Sequence, residues 1–108
     1  ALSELVAALP LKHALADRLQ NVASERTSRF LTNLRDESEA VRLFGSLGIS
    51  RRAEIDGLQF WTETGDMVHF RASGNAPELR CYVESTSPEA ARDLLAWGMQ
   101  TAARETSG

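Results

Sequence analysis

A single cysteine, Cys81, three prolines and seven aromatic side chains are spread over 108 residues. One thiol cannot close an intrachain disulfide or build a cysteine zinc site, so Cys81 is expected to be a small buried hydrophobe. No apolar run approaches the roughly 20 residues that a membrane-spanning helix requires. A basic excess is also missing: 12 lysines and arginines face 15 acids, for a net charge of −3. Arginines alternate with acids, as in Arg35-Asp36-Glu37 and Arg92-Asp93, whereas a protein that coats nucleic acid carries a basic stripe. No repeat, low-complexity tract or signal-peptide pattern is visible. The expectation is one soluble cytoplasmic domain, with neither nucleic acid nor membrane as partner, large enough to fold around a single core without covalent staples.

Periodicity divides the chain in two. The stretch from residue 3 to 9 is helical in pattern, with Ser3 as cap and Pro10 as stop. Ser24 is the expected N-cap of a helix that aligns Phe30, Leu31 and Leu34. Residues 38–47 predict another short helix, with Val41, Phe44 and Leu47 on its apolar face and Gly45 and Gly48 at its end. From Ile49 the period becomes two. Asp56-Gly57 predicts a tight hairpin between strands near 51–55 and 58–63. Thr64-Gly65-Asp66 leads into a strand over 67–71, and another runs over 79–85. Alternation gathers Leu58, Phe60, Val68, Phe70, Leu79, Cys81 and Val83 on one face. A last helix opens at Ser87-Pro88-Glu89 and buries a stripe of Ala91, Leu94, Leu95, Gly98, Met99 and Ala102. The fold class is therefore α+β: a mainly antiparallel four-stranded sheet with helices on one face.

The chemistry concentrates in residues 71–80, Arg-Ala-Ser-Gly-Asn-Ala-Pro-Glu-Leu-Arg, between two strand patterns. Arg71 offers a planar fork of donors that fits phosphate oxygens in pairs. Ser73 and Asn75 can donate neutral hydrogen bonds. Gly74 can take positive φ, which lets successive backbone N–H groups converge on an anion. Pro77 stiffens the exit. Arg80 leaves two readings open, a ligand contact or a brace for the loop. The candidate phosphate-binding set is thus Arg71, Ser73, Gly74, Asn75 and Arg80, and no catalytic residue is assigned. The bland alternative for the arginines is an ion pair with Glu78 or Glu84, and for Ser73-Gly74-Asn75 a plain hairpin.

The pattern Arg-x-Ser-Gly-Asn-x-Pro-Glu-Leu-Arg-x-Tyr-Val-Glu resembles the phosphate-binding loop in the C-terminal domain of the α-D-phosphohexomutases, nearest their bacterial phosphomannomutase/phosphoglucomutase branch. Asp17-Arg18-Leu19-Gln20-Asn21 with Ser24-Glu25 resembles the entry strand and first helix of that domain, and Ile55-Asp56-Gly57-Leu58 the turn that opens its hairpin region. Many members have Thr-Glu where Asn75-Ala76 stand, so Asn75 would bind through its amide or its backbone N–H. Residues 12–21 carry leucines at helical spacing, but the resemblance implies a strand there. It further implies a TATA-binding-protein-like layout, a name that says nothing of DNA binding.

The implied activity belongs to a longer parent enzyme of the isomerase class, an intramolecular phosphotransferase that interconverts hexose 1-phosphate and hexose 6-phosphate. That parent would use Mg²⁺ and a hexose 1,6-bisphosphate activator; this segment contributes neither the phosphorylatable serine loop, nor the aspartate-rich magnesium loop, nor the sugar-reading loop. Its expected partners are the phosphosugar and the other domains of the parent chain. A start at Ala1 without Met then suggests an excised domain, with 1–11 a hinge or N-terminal segment and 104–108 a polar tail. Two competing classes remain: a stand-alone module that senses a phosphorylated metabolite, and an interaction domain whose loop meets an acidic partner.

Elsewhere the bland readings are favoured. His13 and His69 are expected at the surface or in packing. Trp61 and Trp97 are expected to seal the edges of the core or a domain interface, and Arg51-Arg52 to decorate a strand edge against further pairing.

Overall fold

A computed structural model of the chain describes residues 12–74 and 76–107. Five strands and three helices alternate as β1 (His13–Gln20), α1 (Ser24–Arg35), α2 (Glu37–Phe44), a 3₁₀ turn (Gly45–Leu47), β2 (Arg51–Ala53), β3 (Leu58–Trp61), β4 (Met67–Ala72), β5 (Glu78–Ser85) and α3 (Pro88–Ser107). The strands form one sheet in the order β1-β5-β4-β3-β2, and every pairing is antiparallel. The sheet therefore has five strands, not the four expected. The last four follow one another as hairpins; β1 reaches the far edge of β5 from some 60 positions away, in register from His13↔Ser85 to Gln20↔Glu78. Strand pairing with β5 overrides the helical spacing of Leu15 and Leu19.

The core lies on one face of this sheet. Along β5 burial alternates without a break, so that Leu79, Cys81, Val83 and Ser85 point inward, as the two-residue period requires. Phe30 of α1 meets Phe70 of β4 edge-on, with ring centroids 5.2 Å apart and planes at 88°. Phe44 of α2 fits between Phe60 and Trp97, 4.8 Å from each. Each such fully buried aromatic contributes about 2–3 kcal/mol of hydrophobic free energy. Helix α3 lies across β1 and β5, and Gly98 lets it do so: a Cβ there would sit 2.8 Å from the Cys81 sulfur. No helix in the described residues is long and apolar enough to cross a membrane.

Three local expectations are corrected. Ser24 is the first residue of α1 rather than its cap; Ala23 holds the N-cap position, with no side-chain hydrogen bond there. The chain leaves β1 through Asn21, whose φ is 62°, and the Val22 N–H bonds the Pro77 carbonyl at 2.8 Å, which sets the helix start one residue early. Val41 is 57% exposed; α2 starts at Glu37, with the Asp36 carboxylate accepting from the Ser38 and Glu39 N–H groups at 2.9 and 3.3 Å, and this phase buries Ala40 and Leu43 alongside the predicted Phe44. Helix α3 runs on to Ser107, so Arg104 to Ser107 form its last turn and Thr106 is buried. The predicted 3–9 helix and most of the 1–11 segment lie outside the described residues.

The predicted turns form where expected, but the β2–β3 connection is wider than a tight hairpin: pairing ends at Ala53↔Gln59, and β2 and β3 stop short of the expected 55 and 63. Asp56 (φ 49°) and Gly57 (φ 105°) join β2 to β3, and a Cβ on Gly57 would run into the Phe70 carbonyl. The Ser87 hydroxyl accepts from the Ala90 N–H at 3.1 Å and caps α3.

Candidate functional site

The open face of the sheet, opposite the helices, carries the two arginines that flank the loop, Arg71 and Arg80. Arg71 near the end of β4 and Arg80 in β5 are direct cross-strand partners. Arg80 is in turn the direct partner of Arg18 on β1. Three guanidinium-bearing residues thus stand in one lateral row across adjacent strands, which at the usual strand spacing spans only about 10 Å. Like charges directly opposite one another in a sheet are destabilising, so the row needs anions near it.

Two carboxylates answer that need in part. Asp56, in the β2–β3 turn, accepts from Arg71 Nη1 at 2.9 Å. Glu78, with its side chain only 12% exposed, sits between Arg18 and Arg80 at 3.8 and 3.7 Å. Both of the latter distances are ion-pair distances but too long for hydrogen bonds. The neighbouring Tyr82 side chain, and to a smaller extent Glu78, push the Arg80 guanidinium pKa upward. The Nε atoms of Arg71 and Arg80 are buried and have no hydrogen-bond partner among the described residues. Buried donors of that kind are exceptions in native structures.

The connection between β4 and β5 is tightly tied. The Ser73 N–H donates to the Glu78 carbonyl at 3.1 Å, the Glu78 N–H to Ala76 at 2.8 Å, and Val22 anchors Pro77 to the β1–α1 turn. On its helix side the loop borders a small cavity of about 90 Å³, shared with Ser24, Thr27 and Ser28 of α1. The Thr27 hydroxyl is buried there with no partner among the described residues. Gly74 departs from expectation: its φ lies outside the left-handed region, and a Cβ on it would meet nothing among the described residues within 4 Å. The fold itself does not demand glycine at this position.

Of the predicted residues, the structure brings Arg71, Ser73, Gly74 and Arg80 together at one end of β4 and β5; Asn75 lies outside the described residues. Sequence reasoning singled out neither Arg18, Asp56 nor Tyr82 as site neighbours. Parity along β1 puts Arg18 beside Arg80 only once the β1–β5 register is known. His69 takes the packing role expected of it, its Nε2 donating to the Asp56 carbonyl at 2.8 Å with its ring 5.7 Å from Tyr82. Arg51 covers Trp61 at 3.9 Å, a cation–π contact at the far end of the sheet. Cys81 is buried, and burial pushes its thiol up to about 12, with Asp17 across the strand pair adding to the effect. Among the described residues no group of His, Cys, Asp and Glu is placed to hold a metal ion.

Comparison with known proteins covers almost the same ground. The family model described as phosphoglucomutase/phosphomannomutase, C-terminal domain, matches residues 12–96. A phosphomannomutase of Sinorhizobium fredii is 40% identical over 100 residues, 91% of this chain and 21% of that protein. A phosphomannomutase of Salmonella muenchen is 37% identical over 98 residues, 87% of this chain and 20% of that protein. The chain thus spans about one fifth of the length of these relatives.

Proposed function

Because the chain belongs to the phosphoglucomutase/phosphomannomutase C-terminal domain family, we propose that its β4–β5 loop binds the phosphate of a phosphohexose on behalf of a longer cytoplasmic enzyme. The observation that carries this reading is the row of arginines beside the loop, in which two buried Nε donors have no hydrogen-bond partner among the described residues. A phosphoryl group offers oxygens in the paired geometry that a guanidinium fork fits, and charge-assisted bonds of this type are the strong ones.

In this proposal the parent enzyme is an isomerase that interconverts hexose 1-phosphate and hexose 6-phosphate, and this domain grips the phosphate that is not reacting. Arg71 supplies paired charged bonds, and Ser73 and Asn75 supply directional ones. Backbone at Gly74 lies open to close approach, and Arg80 completes the cradle. Binding energy spent at the remote end holds the other end of the sugar in attack geometry. A domain that closes over the cleft also keeps water from the reacting phosphoryl group. The catalytic serine, the magnesium site and the bisphosphate activator belong to other segments of that enzyme.

The test is titration of the chain with mannose 1-phosphate, followed by amide shifts. Changes should centre on Ser73, Gly74 and Asn75, with weak affinity because the other contacts of the site are missing. In the complete enzyme, Arg71→Ala should raise KM and lower kcat together. Shifts scattered over the surface, or unchanged turnover, would refute the assignment.

A further inference from the structure

We propose that Arg18, on the edge strand β1, is a further anion-binding residue of this site and contacts the same phosphoryl group as Arg80 and Arg71. The inference rests on the phosphate-binding reading above and extends it to a strand that the loop sequence does not reach.

The argument starts from charge. Arg18, Arg80 and Arg71 stand side by side on β1, β5 and β4, and the carboxylates paired with them are Asp56 and Glu78 alone among the described residues. Asp17 also lines the groove but makes no ion pair with these guanidiniums among the described residues, so three cations share two paired carboxylates. A sheet gains nothing from that arrangement, since like charges in direct opposition cost free energy. A bound phosphoryl group, carrying up to two negative charges, supplies the missing anion.

The surroundings of Arg18 suit a ligand. It lines one wall of an open groove of about 480 Å³, whose other members are Ala16, Asp17, Arg80 and Tyr82. The direct partner of Tyr82 across the strand pair is Ala16, too short to fill the floor, and so the groove stays clear between the Arg18 and Tyr82 side chains. Arg18 is 54% exposed, and among the described residues a 3.8 Å ion pair is all that holds it to Glu78, a contact that solvent makes weak. Its strand, however, is fixed relative to the loop through the eight-residue register with β5 and the Val22–Pro77 hydrogen bond. A mobile fork on a fixed strand is well placed to close on an anion above Arg80.

The competing role for Arg18 is purely structural, holding Glu78 in place. A double-mutant cycle on the 108-residue chain separates the two, with inorganic phosphate and mannose 1-phosphate as the titrants and amide shifts as the readout. Arg18→Gln should weaken binding about tenfold, the loss of one hydrogen bond to a charged group. Arg18→Lys should recover part of that loss, and the melting temperature should barely move because the side chain is exposed. On a Glu78→Gln background, Arg18→Gln should still weaken binding by the same factor. If Arg18→Gln has no effect once Glu78 is neutral, Arg18 acts only through Glu78 and the inference fails. If Arg71→Gln weakens binding while Arg18→Gln does not, the inference fails and the phosphate loop stands. If neither matters, both readings fail together.

Discussion

Gly74 offers the sharpest separation of fold from function, because the structure assigns it no steric duty. Its φ is not in the left-handed region, and a Cβ built there finds nothing among the described residues within 4 Å. Replacing it with alanine therefore introduces no clash and no backbone strain, while it reduces the freedom of the unfolded chain. Substitutions of that kind stabilise by about 0.4–1 kcal/mol. For a domain of this size the gain corresponds to an upward shift in Tm of about 2–6 °C. The new methyl group would stand where a phosphate must approach the loop backbone, so affinity for mannose 1-phosphate should fall about tenfold or more. The assay is a thermal melt beside a phosphate titration on the same preparation. Gly57→Ala provides the contrast: at φ 105°, with the Phe70 carbonyl in the way, it should lower Tm substantially. A Gly74→Ala variant that melts lower would show that the glycine serves the fold. One that melts higher and binds as before would remove the loop backbone from the phosphate site.

Two further outcomes test the packing beneath the site. Gly98→Ala presses a methyl group against the Cys81 sulfur, 2.8 Å away, and should cost about 1–3 kcal/mol as overpacking; Cys81→Ala should relieve most of that cost in denaturant melts, and additive losses would disprove the contact. The Cys81 thiol, raised from 9.0 to about 12 mainly by burial, favours the folded state in full below pH 9, where the unfolded thiol is also neutral. Above pH 9 the unfolded thiol ionises and the folded one does not, so stability should fall by about 1.4 kcal/mol per pH unit toward pH 12. Cys81→Ala should flatten that limb of the pH–stability curve; an unchanged slope would mean that another group governs it.

How far the sequence could be read depended on the range of the interaction. Asp56-Gly57 and Ser87-Pro88 carry their own geometry, so the β2–β3 turn and the start of α3 were legible from a few neighbours. Two-residue alternation along β4 and β5 was enough to assign Phe70, Leu79, Cys81 and Val83 to the core. Ser24 and Val41 were misread because the phase of a helix is set where it starts. The start of α1 is fixed by a hydrogen bond from Val22 to Pro77, more than fifty residues on. The loop 71–80 stood out as a candidate because its residue types are those that suit an anion, whatever surrounds them.

What the amino-acid order settled alone was therefore the local grammar: turn residues, strand parity and the family pattern around residues 71–80. Only the folded chain decided that β1 pairs with β5 and that this register sets Arg18 beside Arg80. It also decided that Asp56 reaches Arg71 and that Gly74 is free of backbone strain. The physical reason is that propensity and parity act within a few residues, whereas register is fixed by the simultaneous burial of one face of every strand. A guanidinium row made from three separate strands exists only after that burial is complete.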